Sequence, residues 1–266
     1  MEPSTAIGAG LAILGTKEII QKILGPTADY IGQELRNYTE KGAKNLKNIF
    51  IIAEEKLGPD INQPGRVPPK VLKGILTEGY FCEDQIGAEY FGGVLASSRS
   101  EVGRDDRGTY FISLLSRMST YQIRAHYIFY STFRRLYQGL DKNLGLSEER
   151  DKMKIFIPFK SFFAGMIFAS GEDPSSIIPH IMNGLCKEEL IGNTWMMGPH
   201  SLIKEKIGID VNSDGILFVS SAIGCELFIW AYGLGRKVNF KEILNTNITI
   251  EPLKDVLLPD DAEKIT

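Results

Sequence analysis

The sequence predicts a mainly α-helical protein: a helical N-terminal domain followed by a small α+β, winged-helix-like C-terminal module. Three observations predict it. Apolar residues recur at three- and four-residue steps from Ile31 to Tyr137, the period of a helix with one buried face. Proline, glycine and capping residues punctuate that pattern into separate helices. After Lys152 the texture shifts to short β-branched and aromatic runs between turn residues, which reads as strands mixed with helices.

The elements follow in order. Residues 1–24 form an N-terminal segment whose apolar stretch Ala6–Leu14 is preceded by Glu2 and by no basic residue. It therefore lacks the positive start of a secretory signal, and no export is expected. Pro26 stands at a first-turn position, and Ile31, Leu35, Tyr38, Leu46, Ile49, Ala53 and Leu57 continue one long amphipathic helix to Gly58-Pro59. Pro68-Pro69 then opens a short helix through Val71, Leu72, Ile75 and Leu76. The next helix is expected over Glu83–Ser97, with Ile86, Tyr90, Phe91, Val94 and Leu95 on its apolar side. Gly92-Gly93 inside it costs about 1 kcal/mol per glycine relative to alanine, so close approach of another backbone is the expected compensation. Two further helices are expected at Thr109–Arg117 and Thr120–Gln138, the second started by the capping-box spacing of Ser119 and Gln122.

The polar stretch 141–151, DKNLGLSEERD, is the expected boundary. This divides the chain into a 25–145 helical domain, a 146–250 α+β winged-helix-like module and a 251–266 polar tail. Within the module, Asp173-Pro174 caps a helix to about Leu190, NTWMM and ILFVSS read as strands around the Asn212–Gly215 turn, and Ile223–Tyr232 closes as a helix. The segment Gly215–Gly235 has the length of a membrane span and one charge, Glu226. The turn before it, its interior glycines and a carboxylate near its middle favour a buried strand and core helix instead.

Composition narrows the function classes. Thirty basic and 33 acidic residues leave a net charge of −3, so no whole-molecule field draws the chain to nucleic acid or to an anionic membrane. Cys82, Cys186 and Cys225 are odd in number and widely spaced, a pattern of reduced thiols in a cytoplasmic protein. His126, His180 and His200 share no metal-ligand spacing with a cysteine or with each other. The chain has no P-loop, no GxGxxG and no GxSxG, which argues against nucleotide hydrolases, dinucleotide enzymes and α/β-hydrolases. The expectation is a non-enzymatic protein with no cofactor and no metal.

Two constellations remain. Arg99, Arg104, Asp105, Asp106 and Arg107 crowd five charges into nine residues. They read as an exposed recognition loop, as an Asp pair with arginines able to hold a metal or a phosphate, or as a helix cap, with Asp105 or Asp106 satisfying free N–H groups at the next helix. Two adjacent aspartates without a third carboxylate or a histidine make a poor metal site. Arg117, Arg124, Arg134 and Arg135 lie in a stretch without acidic residues, among eight tyrosines and phenylalanines. Arginine interleaved with aromatics can bind single-stranded nucleic acid. The aromatics also sit at core spacing, and such arginines commonly answer carboxylates elsewhere, for which Glu54, Glu78 and Glu89 are candidates.

Three segments carry a resemblance: Gly25–Gly58 (GPTADYIGQELRNYTEKGAKNLKNIFIIAEEKLG), Val67–Asp84 (VPPKVLKGILTEGYFCED), and EYFGGVLASSRS with the RDDRG beyond it. Together they resemble the Abi-alpha family, bacterial proteins associated with abortive-infection-type phage resistance. The likeness covers residues 25 to about 130 and lies in texture rather than in a catalytic motif. It implies antiviral defence in the bacterial cytoplasm through a protein partner, such as a phage component, and carries over no active site. Homo-oligomerisation through the long helix is compatible with its stripe, which an intramolecular bundle requires equally. Nucleic-acid regulation and membrane action, through Ala6–Leu14 or Gly215–Gly235, stand as alternatives.

Overall fold

The computed structural model describes residues 22–23 and 40–265. The first half of the predicted long helix and the Ala6–Leu14 stretch lie outside the described residues. The architecture is mainly helical with one small four-stranded antiparallel sheet. The chain divides into two compact units, residues 1–117 with 229–238, and residues 118–228 with 239–266. The division therefore falls between the two helices before the polar stretch 141–151, which lies inside the second unit. The reason is the burial of the second of those helices, described below.

In the first unit, α1 (Glu40–Leu57) ends in a 3-10 turn, Gly58–Asn62, led by Pro59. It is followed by α2 (Pro69–Glu78), α3 (Gln85–Ser98) and α4 (Gly108–Arg117). Asp84 caps α3 by accepting the Gly87 N–H, so this helix begins two residues later than predicted. Twelve of its 14 residues are buried, which makes α3 the central helix rather than one with a single apolar side. The glycine pair explains how it is surrounded. A Cβ on Gly92 would come within 2.6 Å of the Ile52 side chain and 3.0 Å of the Ile49 carbonyl of α1, and one on Gly93 would overlap the Ala231 carbonyl oxygen. Close backbone approach thus offsets the helix cost of both glycines, as expected.

In the second unit, α5 (Thr120–Tyr137) starts with the predicted capping box: Ser119 Oγ accepts the Gln122 N–H, and the Gln122 side chain accepts the Ser119 N–H. After the short α6 (Ser147–Asp151), the chain forms β1 (Lys154–Pro158), α7 (Phe159–Met166) and α8 (Pro174–Lys187), capped by Asp173. It continues through β2 (Met196–Gly198), α9 (His200–Ile207), β3 (Gly215–Val219), α10 (Ala222–Ala231), whose residues from Ile229 on count with the first unit, and β4 (Glu263–Ile265). The sheet order is β2-β3-β1-β4. Alternation along the strands sends side chains to opposite faces. Phe156 and Leu217, paired across β1 and β3, form one cluster with Ile203, Val211 and Ile265. Phe218, one position on, stacks with Phe129 of α5 at a centroid distance of 4.3 Å, and Phe129 also stacks with Phe162 of α7. The aromatics of α5 are therefore core: Tyr127, Phe129, Tyr130 and Phe133 are fully buried.

Helices α6, α7 and α9 and strand β4 have no counterpart in the sequence reading. Helix α9 occupies the loop between β2 and β3, and the polar tail ends in β4, paired with β1 from Lys154↔Ile265 to Phe156↔Glu263. The Gly215–Gly235 stretch is strand and helix, as favoured above. Among the described residues no helix is long and apolar enough to cross a membrane.

Candidate functional site

The segment 99–107 begins where α3 ends, and its first residue is its anchor. Arg99 is 5% exposed, and its guanidinium donates to four backbone carbonyls: Nε to Lys22, Nη1 to Asp60, and Nη2 to Ile61 and Gln63, at 2.6 to 3.2 Å. A guanidinium has five N–H donors in a fixed fork, so three are spent on the turn Asp60–Gln63 and one on Lys22. Burial holds the Arg99 pKa below its ordinary value, with a further push from the nearby Arg236 cation.

The next residue adds a second fastening. Ser100 and Arg66 form an isolated antiparallel bridge with N–H···O distances of 2.8 and 3.0 Å. Ser100 Oγ accepts the Gly103 N–H, Arg66 Nε donates to the Val102 carbonyl, and Gly103 adopts φ +61. Glu101 and Val102 project at the tip, Val102 being 63% exposed. The far limb is tied in turn. Asp105 accepts both the Arg107 backbone N–H and its guanidinium, at 2.6 to 3.2 Å. The Arg107 hydrogen bond holds the Asp105 carboxyl below the usual carboxylate range. Arg107 also lies over the Trp230 ring, 5.5 Å from its centroid, a cation–π contact.

Arg104 and Asp106 are exposed, and their side chains make no hydrogen bond or ion pair among the described residues. Asp105 bonds the N–H of Arg107, the residue before α4, while Glu101, Val102, Arg104 and Asp106 are exposed and form a rim. The five predicted residues do not act as one group. Arg99 is a buried staple, Asp105 and Arg107 are a strut, and Arg104 and Asp106 face water.

The four helix arginines are placed differently. Arg134 is 6% exposed and donates to the carbonyls of Ile243, Asn245 and Ile248. Arg135 donates to the Pro259 carbonyl and to Asp260 Oδ1, and Arg124 to the carbonyls of Gly165 and Asp255. Tyr127 Oη, on the same helix, accepts the Leu253 N–H at 2.6 Å. Together they fasten the irregular segment 243–260 along α5. Arg117 lies on α4, where it donates to Ser113. Arg124, Arg134 and Arg135 thus answer backbone carbonyls and Asp260, not Glu54, Glu78 or Glu89; Glu89 pairs with Lys56.

Burial governs Cys82, Cys225 and His126. Cys225 is buried and its thiol is pushed up to about 12 by desolvation, and Cys82 likewise, so neither is a thiolate at neutral pH. His126 is fully buried, with Nε2 3.1 Å from the Gly224 carbonyl, and burial drives its pKa down to about 3. Among the described residues no group of three or more His, Cys, Asp or Glu is placed to hold a metal ion.

Comparison with protein-family models, with curated proteins and with solved structures returned no match.

Proposed function

We propose that this chain is a binding component of bacterial antiviral defence of the abortive-infection type, working in the cytoplasm through protein contacts and sensing or blocking a phage component. The observation that carries the reading is the construction of the 99–107 loop. Its base is locked by Arg99 and the Ser100–Arg66 bridge, while Glu101, Val102, Arg104 and Asp106 are exposed. A loop with a fixed backbone loses little conformational entropy on binding, and alternating charges around an apolar tip favour one partner over others. The resemblance of residues 25–130 to the Abi-alpha family supplies the biological setting.

The test is expression in a phage-sensitive bacterium, with plaque counts over a broad phage panel and affinity capture before and after infection. Protection against some phages and a protein captured after infection are expected, both lost in R104E/D106K. Unchanged infection across the panel, or a double variant that retains protection and capture, overturns the proposal.

A second reading rests on the second unit. The succession of helices α7 and α8 and strands β2 and β3, in an antiparallel β2-β3-β1 order, supports a winged-helix-like module. Such a module would present α8 to nucleic acid, through exposed Ser175, Ser176, His180, Asn183 and Lys187. That face carries one firm cation, so duplex binding at low salt, lost steeply as salt rises, is the result that would promote it.

A further inference from the structure

A cavity of about 300 Å³ opens in the first unit between the 3-10 turn after α1, the end of α3 and the segment just beyond α10. Its volume is at the small end of the range of ligand sites. What lines it is unusual for an acidic chain. Lys56, Arg99, Arg236 and Lys237 face it against only two carboxylates, Asp60 and Glu101, a surplus of two positive charges in a protein whose net charge is −3.

The fold goes to some length to build this wall. Helix α10 ends in a Schellman motif, with the Gly233 N–H bonded to the Trp230 carbonyl and the Leu234 N–H to that of Ile229. Gly233 takes φ +77 where a Cβ would meet Lys56 Cβ at 3.0 Å. Ser97 Oγ donates to the Trp230 carbonyl and accepts the Gly235 N–H. This pins the turn so that Arg236 and Lys237 come next at the mouth of the cavity.

Two of the cations are already engaged with carboxylates, Lys56 with Glu89 and Lys237 with Asp60. Arg99 gives its hydrogen bonds to carbonyls, with one Nη1 N–H beyond those four. Arg236 makes no hydrogen bond or ion pair among the described residues, and its charge disfavours that of Arg99 across the cavity. Like charges held together in a partly dry recess cost stability unless an anion joins them.

We propose that this cavity is a binding site for a small phosphate-bearing ligand, held by Arg236 and Lys237 at the mouth and by the buried Arg99 charge behind. A phosphate dianion matches the two lining cations that form no ion pair with a carboxylate among the described residues, Arg99 and Arg236, and the arginine fork suits its oxygens. The site goes beyond the loop reading. Arg99, Ser100 and Glu101 belong to both, so ligand occupancy would bear on the base of the loop.

Isothermal titration calorimetry on the full chain at low salt tests it, with inorganic phosphate and AMP as probes and adenosine as the uncharged control. Saturable binding of phosphate and AMP is expected, with no binding of adenosine. R236A should weaken both by about tenfold, the loss of one charge-assisted contact. K204A, which removes an exposed lysine of the second unit, should leave affinity unchanged. Absence of saturable binding by either phosphate probe overturns the proposal. So does equal weakening by R236A and K204A, or adenosine binding as tightly as AMP. R236A changes an exposed side chain, so a folded variant is expected and its thermal unfolding is the control.

Discussion

Arg99 and Arg134 lie in different units, one at a helix end and one in the last turns of a helix, yet both are buried and both turn the guanidinium toward backbone carbonyls. Arg99 satisfies Lys22, Asp60, Ile61 and Gln63, and Arg134 satisfies Ile243, Asn245 and Ile248. The two differ in the backbone around them. Beyond Arg99 the chain enters a loop whose rim meets water, whereas the helix of Arg134 is covered by a strap that Arg124, Tyr127 and Arg135 also hold. The same staple presents a surface in one unit and closes one in the other. A charged side chain in a sequence therefore reports neither exposure nor partner; the irregular backbone that needs donors decides both.

The largest effect is expected from exchanging each staple for lysine. Lysine keeps the charge but not the planar fork, so several carbonyls are left without donors. R99K and R134K are each expected to cost about 2–4 kcal/mol in urea unfolding. Amide exchange separates them. R99K should expose the Ser100 and Arg66 N–H groups, and R134K the Leu253 N–H held by Tyr127. Near-native stability of either variant would mean that water replaces the guanidinium at no cost.

A smaller effect distinguishes the second unit, because α5 buries a base as well as a cation. Burial lowers the His126 pKa to about 3 from an ordinary value of 6.5. Between those values the unfolded chain holds a proton that the folded chain lacks, so stability must fall as pH falls through that window. The loss is about 2 kcal/mol at pH 5 relative to pH 7. H126Q should flatten the slope between pH 7 and 5 in urea unfolding, even if it lowers stability overall. An unchanged slope would place the titration elsewhere.

Much of this was legible because it is local. The Ser119–Gln122 capping box, the Asp173-Pro174 start and the need for a close neighbour at Gly92-Gly93 each depend on residues a turn apart or on a missing Cβ, and each is present. The features that were not legible are non-local. The partners of Arg99, Arg124 and Arg134 are carbonyls, which every residue carries, so no residue type marks them. Helix α9 lies between two expected strands where the one signal read was the Asn212–Gly215 turn, and β4 is three residues long with only Ile265 buried. Its strand state comes from pairing with β1, not from propensity. At the loop, charge density was visible, while the division into staple, strut and rim required knowing that Asp60–Gln63 lies beside Arg99.

The smallest stability effect is expected at the rim, and it decides what the rim is for. Arg104 and Asp106 are exposed and their side chains are unengaged among the described residues, so R104E/D106K should shift stability by no more than about 0.5 kcal/mol. Asp105, between them, accepts three hydrogen bonds from the Arg107 side chain. D105A should therefore cost more, about 1 kcal/mol, while leaving the rim charges in place. If the loop is a recognition surface, the order of the two variants inverts between assays: R104E/D106K is silent in thermal unfolding and severe in partner capture, and D105A is the reverse or mild in both. A rim variant that destabilises as much as R99K would show that Arg104 and Asp106 are structural, and the case for the loop as a contact surface would fall with it.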